Sequence, residues 1–181
     1  MFATPLLYQA AELSKTEKSA RKTVKNMLLV LVRLVTGLIE KKQIVMTNNF
    51  AIDTNIFLYL RDSDSPEKQA KANDLIDLSP VVSSQVVSEY LNVSKRLLKL
   101  PKQQILDICL DDLEGCIIHS TTLSTLRLAR KLISKYDFQL FDSLVVASAL
   151  EANCKILYSE DFQHNQLIEN RLRIINPFIY D

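Results

Sequence analysis

Phe141-Asp142-Ser143-Leu144-Val145-Val146-Ala147-Ser148-Ala149-Leu150 runs on to Ala152 and is followed closely by Lys155-Ile156-Leu157-Tyr158-Ser159. The first stretch is apolar on almost every side, so as a helix it is expected to be buried on most faces. The second is a short apolar run, which reads as a strand hidden between layers. The rest of the chain repeats this alternation. Phe50-Ala51-Ile52, Pro80-Val81-Val82-Ser83 and Cys116-Ile117-Ile118-His119 read as strands, and Leu172-Arg173-Ile174-Ile175 as a fifth, at the edge, stopped by Pro177.

Helical segments fill the intervals. Asn55–Leu60 is one, and Ser65-Pro66-Glu67 opens the next, with Ser as cap and Pro at the first position. That second helix should turn Ala70, Ala72, Leu75 and Ile76 inward. Val86, Val87, Tyr90, Leu91, Val93, Leu97 and Leu98 form an apolar stripe on a third. Beyond Pro101, a fourth carries Ile105, Leu106, Ile108, Cys109, Leu110 and Leu113 as its core face. Thr121 or Thr122 caps a fifth, which carries Leu123, Leu126, Leu128, Ala129, Leu132 and Ile133. Short apolar strands alternating with helices predict βαβ units. The expected fold is therefore α/β: a three-layer α/β/α sandwich around a short, mainly parallel sheet. Parallel strands covered on both faces are expected to be apolar throughout, and sites in such sheets lie beyond the strands' carboxyl ends.

The 181 residues fit one domain plus an extension, and their composition is uneven. Residues 1–45 hold eight Lys/Arg against three Asp/Glu, whereas 46–181 hold fourteen against eighteen. The change of sign predicts a boundary near Met46: a basic extension, 1–45, and a working domain, 46–181. The purine-rich codons required by Glu40-Lys41-Lys42-Gln43 resemble a ribosome-binding site, so Met46 is read as the natural start and 1–45 as a mis-assigned or dispensable segment. The competing reading is an amphipathic helix from Ser19 to Glu40. The apolar run Met27–Ile39 is only thirteen residues, short of the about 20 that a bilayer needs. No small-residue cleavage site follows it, and the protein is read as cytoplasmic with no membrane partner. Cys109, Cys116 and Cys154 include no CxxC pair, which argues against a zinc knuckle or disulfide framework.

Four carboxylates stand out by position. Asp53 directly follows the first strand and Asp161 the fourth; Glu89 lies on the helix after the second strand, and Asp142 opens the apolar helix. Each has a plain reading as a cap, turn or solvated residue. In a parallel sheet, however, all four can meet at the carboxyl edge. Carboxylates gathered in one cleft raise one another's pKa, and a hard divalent cation with oxygen ligands relieves the repulsion. Such a cation can activate water and clamp a phosphodiester oxygen.

Ile52-Asp53-Thr54-Asn55-Ile56, Ser88-Glu89-Tyr90, Phe141-Asp142-Ser143 and Ile156-Leu157-Tyr158-Ser159-Glu160-Asp161, in this order and context, resemble the PIN domain, in particular the VapC-type toxins of bacterial toxin–antitoxin pairs. The resemblance spans about residues 50 to 178. It implies a Mg²⁺- or Mn²⁺-dependent endoribonuclease that cleaves RNA with a metal-activated water, leaving a 5′-phosphate and a 3′-hydroxyl. It also implies a homodimer and a small cognate antitoxin. It carries the catalytic and metal-binding role onto Asp53, Glu89, Asp142 and Asp161, with Asn55 and Ser143 in support. Glu160 adjoins Asp161, and either can complete the cluster.

Other chemistries fit less well. His119 and His164 have no partner at ligand spacing, and no nucleophile elbow or Gly-rich phosphate loop is present. Lys95, Arg96 and Lys99 read as a solvated face more than as phosphate contacts. Two alternatives stay open: an aspartyl-phosphate phosphotransferase or phosphatase using Asp53, and a non-catalytic RNA- or protein-binding module of the same fold.

Overall fold

A computed structural model describes residues 49–179. The expectations for residues 1–45, the Ser19–Glu40 helix and the start at Met46, lie outside the described residues. Asn49 leads into β1 (Phe50–Ile52), followed by α1 (Thr54–Tyr59), α2 (Pro66–Ile76), β2 (Val81–Ser83), α3 (Ser84–Leu98), α4 (Lys102–Leu113), β3 (Ile117–His119), α5 (Leu123–Tyr136), α6 (Leu140–Glu151), β4 (Ile156–Tyr158), β5 (Leu167–Ile168) and β6 (Leu172–Ile175). Among the described residues the sheet has six strands in the order β3-β2-β1-β4-β6-β5. All neighbouring pairs are parallel except β5–β6. The α/β sandwich with a mainly parallel sheet is therefore as expected.

β1 lies at the centre, with Ala51 opposite Val81 of β2 and Leu157 of β4. Its three residues are buried, as are Leu157 and Ile174 beside it. α6 is buried from Ser143 through Leu150, which is what its unbroken apolar sequence requires. Its first two residues, Leu140 and Phe141, are exposed. Helix starts follow local chemistry. Thr122, not Thr121, caps α5 through a reciprocal capping box with Thr125, and Ser83 caps α3 by accepting from the Val86 amide at 3.1 Å. Ser65 occupies the cap position of α2, but its hydroxyl makes no capping bond; Pro66 at the first position sets that start.

Three expectations need correction. β6 is not the edge strand. The two-residue β5 pairs antiparallel outside it, through a turn in which Glu169 and Asn170 hold φ of +48° and +54°. The β3 edge is not covered on both faces, because Ile117 and Ile118 are about half exposed. The apolar stripes are also narrower than their sequences suggest. Ala70, Leu97, Leu106, Leu110, Leu123 and Leu126 face solvent, while Ser94 and Thr125 are buried in the same helices. The three cysteines are free thiols, with Cys109 and Cys154 buried and Cys116 partly so.

Candidate active site

The parallel register of β1 and β4 brings their carboxyl ends side by side, with the Asp53 amide donating to the Tyr158 carbonyl at 3.0 Å. Asp53, the first residue past β1, is the N-cap of α1, so its plain reading is also true. It is only 7 % exposed. One carboxylate oxygen accepts from the Thr54 amide at 2.7 Å and the other from the Ser159 hydroxyl at 2.7 Å. Burial is the largest influence on this group and pushes its pKa up to about 6. The two hydrogen bonds oppose that rise, and the charges of Asp161 and Glu89 add to it.

Asp161 accepts from the Asn55 amide group at 3.2 Å, while its own backbone amide donates to Ser159 Oγ at 3.2 Å. The same Asn55 Nδ2 also reaches Ser159 Oγ at 3.3 Å. Ser159 thus ties the two acidic residues together across adjacent strands. Glu89, in the second turn of α3, accepts from the Thr54 hydroxyl at 3.0 Å. Asp142 sits in the first turn of α6, two residues inside the helix whose cap is Gln139, so it is not itself the cap. It is half-buried rather than deeply buried. Partial burial raises its pKa, and the charges of Asp161 and Glu89 raise it further. The structure therefore brings all four predicted carboxylates within electrostatic reach of one another.

Glu160 behaves differently from its neighbour. It accepts from the Tyr59 hydroxyl at 2.6 Å and from Lys68 Nζ at 2.9 Å. Lys68 also lies 4.2 Å above the Tyr59 ring. This ion pair commits Glu160 to α1 and α2, and Asp161 is the residue whose charge is felt at Asp53 and Asp142. Ser143 is wholly buried and donates to the Leu140 carbonyl at 2.6 Å, so its hydroxyl serves its own helix. Asn55 is a working part of the cluster, and its Oδ1 is buried without a hydrogen-bond partner. Of the two histidines, His164 accepts from the Asn176 amide at 3.0 Å, a structural use.

Thr54 and Ser159 were not singled out by sequence. Both stand inside the motifs, but a hydroxyl beside a strand end is common, and only the β1–β4 register reveals that these two hold carboxylates. Arg96 was assigned to a solvated face. It lines a cleft of about 610 Å³ together with Glu89 and Asp142.

The donor set suits a hard cation, since every candidate ligand is an oxygen. Asp53 is under strain as an anion, Asp142 makes no hydrogen bond to a described residue, and Asn55 Oδ1 is uncommitted. Among the described residues no three His, Cys, Asp or Glu side chains already converge as a closed cage. An open set of this kind matches magnesium, which keeps several waters and takes only one or two carboxylates.

Fold and site together define an α/β protein with an acidic cleft at the carboxyl edge of its sheet. The PIN domain family model matches residues 50–169, and the chain belongs to that family. Among solved structures, a toxin–antitoxin complex from Klebsiella pneumoniae is 16 % identical with a TM-score of 0.53, over 72 % of this chain and 98 % of that one. VapBC2 from Rickettsia felis, bound to a DNA fragment from its promoter, is 18 % identical with a TM-score of 0.50, over 70 % and 98 %. VapC20 from Mycobacterium tuberculosis, a sarcin–ricin loop cleaving toxin, is 13 % identical with a TM-score of 0.48, over 60 % and 87 %. At these identities the likeness is one of fold. No curated protein matches the chain.

Proposed function

We propose that the protein is a metal-dependent endoribonuclease and the toxin of a toxin–antitoxin pair. The observation that carries this reading is the mutual electrostatic reach of Asp53, Glu89, Asp142 and Asp161. Family membership supports it, as does a fold shared with proteins found in toxin–antitoxin complexes.

In this reading Asp53, Asp142 and Asp161 hold Mg²⁺ or Mn²⁺, and Glu89 completes the set. A bound divalent cation supplies a nucleophile at neutral pH and charge stabilisation on the scissile phosphate. The chain's own residues supply position. Ser159 and the Thr54 amide fix both oxygens of Asp53. Asn55 fixes Asp161, and the Thr54 hydroxyl orients Glu89. The same contacts disfavour a phospho-aspartate at Asp53, because both oxygens of its carboxylate are already engaged. A small antitoxin and a second copy of the chain are the proposed protein partners. Single-turnover cleavage of RNA, with and without EDTA, tests the proposal. Cleavage should require Mg²⁺ or Mn²⁺, and Asp53→Asn should lower the rate by at least ~10²-fold. An Asp53→Asn protein as active as the parent would end this reading.

A further inference from the structure

The cleft beside Asp142 carries more recognition chemistry than bond cleavage requires. Gln85, Glu89, Asn92 and Arg96 recur along α3 at spacings that put them on one side of the helix, and they face Gln139, Phe141 and Asp142 at the start of α6. The side-chain amides of Gln85, Asn92 and Gln139 make no hydrogen bond to a described residue. Phe141 is 58 % exposed, although it begins a helix whose next turns are wholly buried. An aromatic face, free amide donors and acceptors, and one guanidinium thus share a cleft with two of the four carboxylates.

These groups match the parts of a single nucleotide. An aromatic ring stacks on any base, amides read base edges, and a guanidinium takes a phosphate. A duplex does not offer its base faces, because they are stacked on one another. The domain's acidic balance provides no general attraction for nucleic acid, so affinity has to come from local contacts of this kind. We propose that this cleft binds one unpaired nucleotide of the RNA, with its base on Phe141, its edge toward Asn92 and Gln139, and its phosphate on Arg96, and that this contact selects unpaired RNA for cleavage. The inference rests on the ribonuclease reading and names its substrate class.

The test uses the full chain and a fluorescein-labelled short RNA of mixed sequence, single-stranded or annealed to its complement. Binding is followed by anisotropy in EDTA, and cleavage in Mn²⁺. Phe141→Ala should weaken single-strand binding and lower kcat/KM, each by roughly tenfold. Phe141→Tyr should restore both, and Phe141→Leu should not. The rise in melting temperature caused by Mn²⁺ should be the same in all three, because Phe141 holds no metal. The parent should prefer the single strand to the duplex. If Phe141→Ala matches a parent that cuts RNA, or if Leu serves as well as Tyr, the inference is overturned and the ribonuclease reading survives. If Phe141→Ala converts a dimer to a monomer in sedimentation velocity, the ring covers a second copy and the inference is likewise overturned. If the parent neither binds nor cuts RNA, both fail.

Discussion

At Asp53 burial and hydrogen bonding pull in opposite directions, and burial prevails. The group titrates near 6 in the folded protein against 3.8 for the unperturbed carboxyl. Between those values the folded state holds a proton that the unfolded chain has released, so stability falls as pH rises through about 6 and is greatest below the unfolded value. At neutral pH the penalty is on the order of 3 kcal/mol. Without added metal, Asp53→Asn should melt higher than the parent at pH 7.5, and the gap should close near pH 4. Mn²⁺ should raise the parent's melting temperature more at pH 7.5 than at pH 5, because protons compete for the same oxygens, and the rise should vanish in Asp142→Asn. Parallel melting curves across that range, indifferent to Mn²⁺, would count against a strained acidic cluster. The four acids were legible in sequence because each stands at a strand or helix end. The residues holding them were not, because Ser159 reaches Asp53 only through pairing between segments 106 positions apart.

At the scale of elements, the helix periods located every helix but overstated their buried faces. A stripe of Leu, Ile and Val marks which side of a helix can be buried, not how far its neighbours extend. α3, α4 and α5 pack beside a sheet whose strands are only three or four residues long, so the outer leucines overhang it. β5 has two residues and no period to read, which is why β6 looked like the edge. Equally invisible was the junction of α1, α3 and α4. There Arg61 forks onto Asp112 at 2.7 and 2.8 Å, the Tyr90 hydroxyl donates to the same carboxylate, and the Tyr90 ring stacks on Phe57 at 5.0 Å. Asp112 sits among exposed residues of α4 and carries no motif. Asp112→Ala would leave the buried Tyr90 hydroxyl without its acceptor, at a cost of about 1–3 kcal/mol. Chemical denaturation should register that loss with little change in slope, and an unaltered midpoint would show that the junction carries no stability.

For the molecule as a whole, the alternation of apolar strands and helices was enough to define a parallel α/β sheet with its site at the carboxyl edge. Among the described residues no helix is long and apolar enough to cross a membrane. The toxin proposal is a statement about this level, because it concerns what the chain does to a cell. Expression of the parent alone should arrest growth, and Asp53→Asn should not. Co-expression of the neighbouring open reading frame should relieve the arrest, since an acidic cleft invites an Arg or Lys from a partner. A parent harmless on its own would remove the toxin label while leaving nuclease activity to be judged by cleavage.

The free thiols offer a way to time the molecule's own opening. Burial drives Cys154 up to about 12 and Cys116 up to about 11, and it raises Cys109 as well, so at neutral pH all three are almost wholly protonated and slow to alkylate. Cys109 lies under α4 and Cys154 where α6 gives way to β4. Each therefore becomes reactive only when its own part of the structure lets water in. Maleimide uptake read by mass should be stepwise, with partly exposed Cys116 modified first. If Cys109 then precedes Cys154, α4 opens independently of the sheet; if the two react together, the domain unfolds as one unit.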